Sequence, residues 1–147
     1  MQDEPDVPLA VYGTLLDADV RRLVLGRCSG RAAVLRGWER VYVAGQVYPG
    51  IRRREGGSVT VMVLQGLGRH ALARADAFEG PEYVREVLPV VFTDNGAAAE
   101  VMAYVPTAAV RLTDRPWRYD WAWRGRYRKA FLNMTRAAVA GRGSRGA

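Results

Sequence analysis

Apolar positions along the chain change their period several times, and each change marks an element. VPLAVY (7–12) is a short, continuous apolar run of the kind a strand buried on both faces shows, and it stops at Gly13. Asp17 then opens a helical pattern through Leu23, Val24 and Leu25 to Gly26. RAAVLRGWERVYVAGQVYPGI alternates β-branched and aromatic residues with glycines and predicts two or three short strands bent at Gly37, Gly45 and Gly50. SVTVMVLQGL (58–67) predicts a strand buried on both faces or lining a closed barrel. GRHALARADAFEG (68–80) places Leu72, Ala75 and Phe78 near helical spacing and ends at Gly80-Pro81, a strong helix stop. EYVREVLPVVFTD and AAAEVMAYVP predict a hairpin around Asn95-Gly96. From Trp117 the pattern turns helical, with Trp121, Tyr127, Phe131 and Met134 as apolar positions up to Val139. Many short strands with few helices predict an α+β fold, a small mixed β-barrel or strongly curled sheet with flanking short helices.

Size agrees with one domain, expected over 7–140, with 1–6 and 141–147 as disordered ends, because 147 residues can bury a core without disulfides or metals. No apolar run approaches the roughly 18 residues of a membrane-spanning helix. MQDEPDVPLA lacks the basic start and apolar stretch of a signal peptide, so the cytoplasm is the expected location. The single cysteine, Cys28, and single histidine, His70, cannot build a zinc site of the usual kind, and no metal is expected. Cys28 reads as a small buried filler and His70 as an exposed residue at a helix start. The net charge of +7 comes from 22 basic residues, of which only Lys129 is not arginine. That bias, with scarce Ile, Asn and Lys, matches a GC-rich genome, so the charge is expected to be spread over the surface and not gathered in a nucleic-acid groove. Arg52-Arg53-Arg54 reads as a solvated hairpin tip.

Two places carry candidate chemistry. Tyr12-Gly13-Thr14-Leu15 follows a buried strand and precedes a helix. Glycine lets the backbone approach a ligand, and successive N–H groups in such a turn suit a carboxylate or phosphate. Taken alone, the turn reads first as an ordinary strand-to-helix connection that needs Gly for its φ angle. Glu79 ends a predicted helix, where the dipole disfavours a carboxylate, and Asp76 lies three residues earlier on the same face. Both push a proton onto Glu79, which tunes a carboxylate toward general base work near neutral pH. A solvated turn carboxylate is the competing reading.

YGTL after the first strand, YPGI about 35 residues on, DAFEG-x-EY-x-R after a short helix and a following strand pair together resemble the γ-glutamylcyclotransferase-like family, also called AIG2-like, from about Val7 to Leu132. In that family the YG[ST]L loop binds the substrate's carboxylate end and the acidic residue of FEG is the catalytic acid/base. The resemblance therefore implies Tyr12, Gly13, Thr14 and Leu15 as substrate-binding residues and Glu79 as the catalytic residue, in a small mixed barrel. Glu82 falls outside the matched position and ranks second. Arg85, in Y-x-R, and Tyr119, with Trp117 in the segment after the barrel, are candidates for positions near the substrate, with a structural ion pair as the competing reading for Arg85 and a packing role the favoured one for Trp117 and Tyr119. The implied reaction takes a small-molecule γ-glutamyl amine and closes 5-oxoproline without a cofactor, a membrane or nucleic acid. One departure stands out: where relatives have V-x-G before the catalytic helix, this chain has Val59-Thr60-Val61, and Val61 narrows the pocket if it faces it. Two other readings stay open. One is a family member that binds a ligand without turning it over. The other is a nucleic-acid binder using the interleaved aromatics and arginines of WRYDWAWRGRYRK.

Overall fold

The computed structural model describes residues 7–141. Residues 1–6 and 142–147, which the sequence reading takes as disordered, lie outside the described residues. The strands are β1 (Leu9–Val11), β2 (Ser29–Val43), β3 (Pro49–Gln65), β4 (Tyr83–Phe92), β5 (Ala98–Pro106) and β6 (Leu112–Pro116). Helix α1 spans Ala18–Leu25 and α2 spans Arg69–Glu79; α3 (Trp121–Trp123) passes through a π-helical turn (Arg124–Arg128) into α4 (Lys129–Ala140).

Strand order β3-β1-β5-β4-β2, with β2 pairing back onto β3, closes a five-stranded barrel, and β6 adds to β2. The barrel is mixed because β1 runs parallel to β5 while its other pairings are antiparallel. Its interior is filled by one face of the strands, among them Ala10, Leu35, Val61, Val63 and Val101. The opposite face packs on the helices through Leu9, Val11, Leu64, Phe78, Trp117, Trp123 and Phe131. This explains why the first strand reads as apolar throughout: Leu9 and Val11 face the helices while Ala10 and Tyr12 face the barrel. The helix ends follow their sequence signals. Asp17 caps α1 by accepting from the N–H groups of Asp19 and Val20, Gly80 ends α2, and the β4–β5 hairpin turns at Asn95-Gly96, where Ala97 N–H donates to Asn95 Oδ1 at 2.9 Å.

Three expectations change. The short strands bent at glycines are two long strands: Gly37, at φ +87°, forms a bulge within β2, where the register with β3 shifts between Arg36 and Trp38. A bulge re-aims a strand without ending it. Arg52-Arg53-Arg54 is no hairpin tip, since it lies inside β3, with Arg52 paired to Glu39 and Asp114 and Arg54 to Glu39. The turn instead falls between β2 and β3, after Val43. Finally, the last helix buries Trp123, Phe131, Leu132 and Thr135, while Trp121 is 79% and Met134 49% exposed. The wider π turn brings residues four apart into line, so Trp123, Tyr127 and Phe131 form the inward row in place of one starting at Trp121. β6, a polar segment, has no apolar pattern from which to be read. His70 is exposed, and Cys28 is only partly buried, at the edge of the helix-side core.

Candidate active site

One pocket opens at the end of the barrel where β1 gives way to the Tyr12–Leu15 loop. Tyr12, Gly13, Thr14 and Leu15 form one wall, Tyr48 and Pro49 at the start of β3 another, and Phe78 and Glu79 at the end of α2 a third. Tyr83, Tyr104 and Phe131 complete it, and its empty space is about 450 Å³ counted out to the open mouth. All four residues of the YGTL loop and Glu79 thus line one cavity.

The loop is glycine at position 13 because of a close approach: a Cβ there would sit 3.0 and 3.1 Å from Cγ and Cδ of Pro49. Behind Gly13 a short 3₁₀ turn (Thr14–Leu16) begins with Leu16 N–H donating to Gly13 O at 2.9 Å. The N–H groups of Thr14 and Leu15 precede that first bond and find no acceptor among the described residues. Arg40 braces the loop from beneath, donating from Nη1 to Tyr12 O and from Nε to Trp117 O, both at 2.9 Å. Tyr12 Oη in turn donates to Tyr104 O at 2.6 Å, and Tyr83 Oη to Pro49 O at 3.1 Å.

Glu79 is the titrating group of this cavity. Its carboxyl is pushed up to about 8, first by burial and second by the charge of Asp76, with no hydrogen bond or cation among the described residues holding the proton off. Burial, which the sequence alone could not supply, leads. Glu79 also raises the phenols of Tyr12 and Tyr83, whose burial is the larger cause. Asp76 is itself held outside the pocket: Tyr104 Oη donates to Oδ1 at 2.6 Å, and Arg85 spans both oxygens at 2.9 and 3.0 Å.

The structure places Arg85 and Tyr119 outside the cavity. Arg85 is the bidentate partner of Asp76, one step from Glu79. Tyr119 Oη donates to Asp17 Oδ2 at 2.7 Å, beside Arg128 Nε at 2.5 Å. Burial of Asp17 opposes ionisation, but the hydrogen bonds from Tyr119 and Arg128 outweigh it and hold the carboxyl below its ordinary range. That clamp fixes the start of α1 just past the YGTL loop. Trp117 and Trp123 both donate Nε1–H to Val47 O at 2.8 Å, securing the residue before Tyr48. Val61 does not narrow the pocket: it is 1% exposed inside the barrel. Glu82 is exposed and lines no part of the cavity.

Tyr48, Pro49, Tyr83 and Tyr104 complete a wall that sequence reasoning did not assign. The first three lie in the YPGI and Y-x-R motifs, which are their only signal; Tyr104 has none, since alternation along β5 does not show which end reaches the mouth. Among the described residues no group of three or more His, Cys, Asp and Glu is arranged to hold a metal, and no helix is long and apolar enough to cross a membrane.

Comparison with known proteins bears on the same features. The family model described as gamma-glutamyl cyclotransferase, AIG2-like, matches residues 9–124. AIG2-like protein C of Arabidopsis thaliana is 37% identical over 98 residues, 66% of this chain and 57% of that protein. AIG2-like protein D of the same plant is 33% identical over 132 residues, 86% of this chain and 84% of that one. The chain thus matches under three fifths of the length of the first of these relatives. A solution structure of an Arabidopsis thaliana protein superposes with a TM-score of 0.65 at 27% identity, over 96% of this chain and 87% of that one. A structure titled gamma-glutamyl cyclotransferase shares the fold, with a TM-score of 0.62 at 17% identity over 73% and 68% of the two chains. With its barrel closed, its loop and carboxylate facing one pocket and the family model matched from β1 to the π turn, the chain belongs to the AIG2-like gamma-glutamyl cyclotransferase family.

Proposed function

We propose that the protein is a γ-glutamylamine-type cyclotransferase that releases an amine and 5-oxoproline, with Glu79 as the proton shuttle and the Tyr12–Leu15 loop as the binding site for the substrate's α-carboxylate. The observation that carries this reading is the pairing, in one small pocket, of a carboxyl group pushed up to about 8 with a loop whose Thr14 and Leu15 N–H groups have no acceptor among the described residues. A group with that affinity takes a proton and gives it back near neutral pH.

The substrate carries both reacting groups. Its α-amino nitrogen attacks the side-chain carbonyl carbon, closing a five-membered ring and leaving a tetrahedral oxyanion. The bond from that carbon to the departing nitrogen then breaks. Glu79 accepts a proton from the attacking nitrogen and delivers it to the leaving one, so one proton moves between two nitrogens and neither water nor a cofactor is consumed. Holding the chain folded supplies an effective molarity on the order of 10⁵ M. A backbone N–H of the 13–15 turn meets the oxyanion. Arg85 and Tyr119 act at one remove, Arg85 by fixing Asp76 beside Glu79 and Tyr119 by fixing Asp17 behind the loop.

A screen of γ-glutamyl amines for 5-oxoproline release tests the reading. Release of 5-oxoproline and one free amine per turnover supports it. Saturable binding of these compounds without any release would instead favour a catalytically silent ligand-binding protein.

A further inference from the structure

A second depression lies on the face built by the end of β2, β6 and the start of α3, and it shares no lining residue with the pocket described above. Seven of the 22 basic residues of the sequence fall between Arg111 and Lys129, and three of them, Arg115, Arg118 and Arg126, line this depression. Among the described residues Arg31, Arg52, Arg54, Arg85 and Arg128 are matched to carboxylates, while others, such as Arg22, Arg36, Arg53 and Arg111, are not and line no part of this depression. The three arginines here have no such partner among the described residues. Arg115 lies over the ring of Tyr42 at 4.4 Å and Arg126 over Tyr127 at 5.4 Å, contacts that leave the guanidinium N–H groups free to meet an anion, with no acceptor among the described residues. Asp120, the one carboxylate in the lining, is engaged: its Oδ1 accepts the Trp123 N–H at 2.9 Å as the helix cap.

We propose that this depression is a binding site for a phosphoryl dianion carried by a small phosphorylated molecule. Guanidinium forks match phosphate oxygens in pairs. Three cations against one carboxylate leave two positive charges, which a dianion cancels and a single carboxylate does not. The depression, about 640 Å³ counted to its open mouth, has room for a phosphorylated molecule larger than the bare anion.

Isothermal titration of the full chain with inorganic pyrophosphate and with AMP, at low and at physiological salt, tests this. The expected result is saturable one-to-one binding that weakens with salt. Arg118→Ala and Arg126→Ala should each lose roughly tenfold in affinity, the scale of one hydrogen bond to a charged group. Arg126→Lys, which keeps charge but loses the fork, should fall between Arg126→Ala and wild type, and Arg36→Ala, on β2 away from the site, should bind as wild type does. These substitutions fall on exposed side chains, and urea unfolding of each variant verifies the fold. Absence of saturable binding at low salt overturns the proposal, as does equal weakening by Arg36→Ala. Binding of a single-stranded oligonucleotide that pyrophosphate fails to displace also overturns it, in favour of a nucleic-acid surface.

Discussion

Replacing Glu79 by glutamine should change how the protein's stability depends on pH, and the size of the change follows from the pocket. In an unfolded chain Glu79 ionises near 4.5, and in the fold near 8. The fold therefore favours the protonated form. Below pH 4.5 both states carry the proton and the contribution to stability is complete. Between 4.5 and 8 the unfolded chain releases the proton while the fold retains it, so stability falls as pH rises, and above 8 it levels off. At 1.36 kcal/mol per pH unit the full interval corresponds to at most roughly 5 kcal/mol. Solvent entering the open mouth screens the buried charge, so about 2–3 kcal/mol is the expected loss. Glutamine has the shape of the protonated side chain and does not titrate. The variant should match wild type near pH 5 and exceed its stability by that amount near pH 9. Urea unfolding followed by tryptophan fluorescence at each pH unit from 5 to 9 measures both curves. A constant difference between variant and wild type across that range would refute the reasoning, because Glu79 would then titrate alike in the folded and unfolded chain.

Other substitutions test the surrounding parts. Gly13→Val would drive side-chain atoms into the Pro49 ring, which a Cβ at position 13 would already approach to 3.0 Å, costing about 1–3 kcal/mol and abolishing substrate binding, as calorimetry with a γ-glutamyl amine would show. Arg85→Ala leaves the Asp76 charge unpaired beside Glu79, so the pH at which the rate is half-maximal should move up from the wild-type value in a pH–rate profile. Glu82→Gln should leave kcat and KM within about twofold of wild type, because its side chain is exposed and lines no part of the cavity. Arg128→Ala removes the cation from the carboxylate of Asp17, which keeps its bonds from Tyr119 Oη and the N–H groups of Asp19 and Val20, and should cost about 1–3 kcal/mol in urea unfolding.

Local signals carried much of this architecture, and long-range closure carried the rest. Asp17, Gly80-Pro81 and Asn95-Gly96 end or begin elements through bonds made within a few residues, so they can be read from a short window. β2 and β3 could not, since Gly37 looks like a break in sequence and becomes a bulge only because β3 runs alongside and holds both halves in one ladder. The last helix misled for a related reason: a π turn alters the period that apolar spacing assumes. At the site, Glu79 and the YGTL loop were legible from motif and helix end, but the burial that leads the Glu79 shift belongs to a cavity whose lining, Tyr12, Tyr83 and Phe131 among it, converges from distant elements. Arg85 was legible as a residue near the site or in a structural ion pair, and the pair with Asp76 is what the fold makes; Tyr119 was not legible as the partner of Asp17.

The central claim is that Glu79 carries the proton between the two nitrogens of a γ-glutamyl amine. With the amine that wild type prefers, the rate of 5-oxoproline release by Glu79→Gln should fall by at least about 10²-fold in kcat while calorimetry shows substrate binding retained, the loss typical of removing a general acid/base. Release at an undiminished rate by the folded variant would contradict the account and assign the proton transfer to another group.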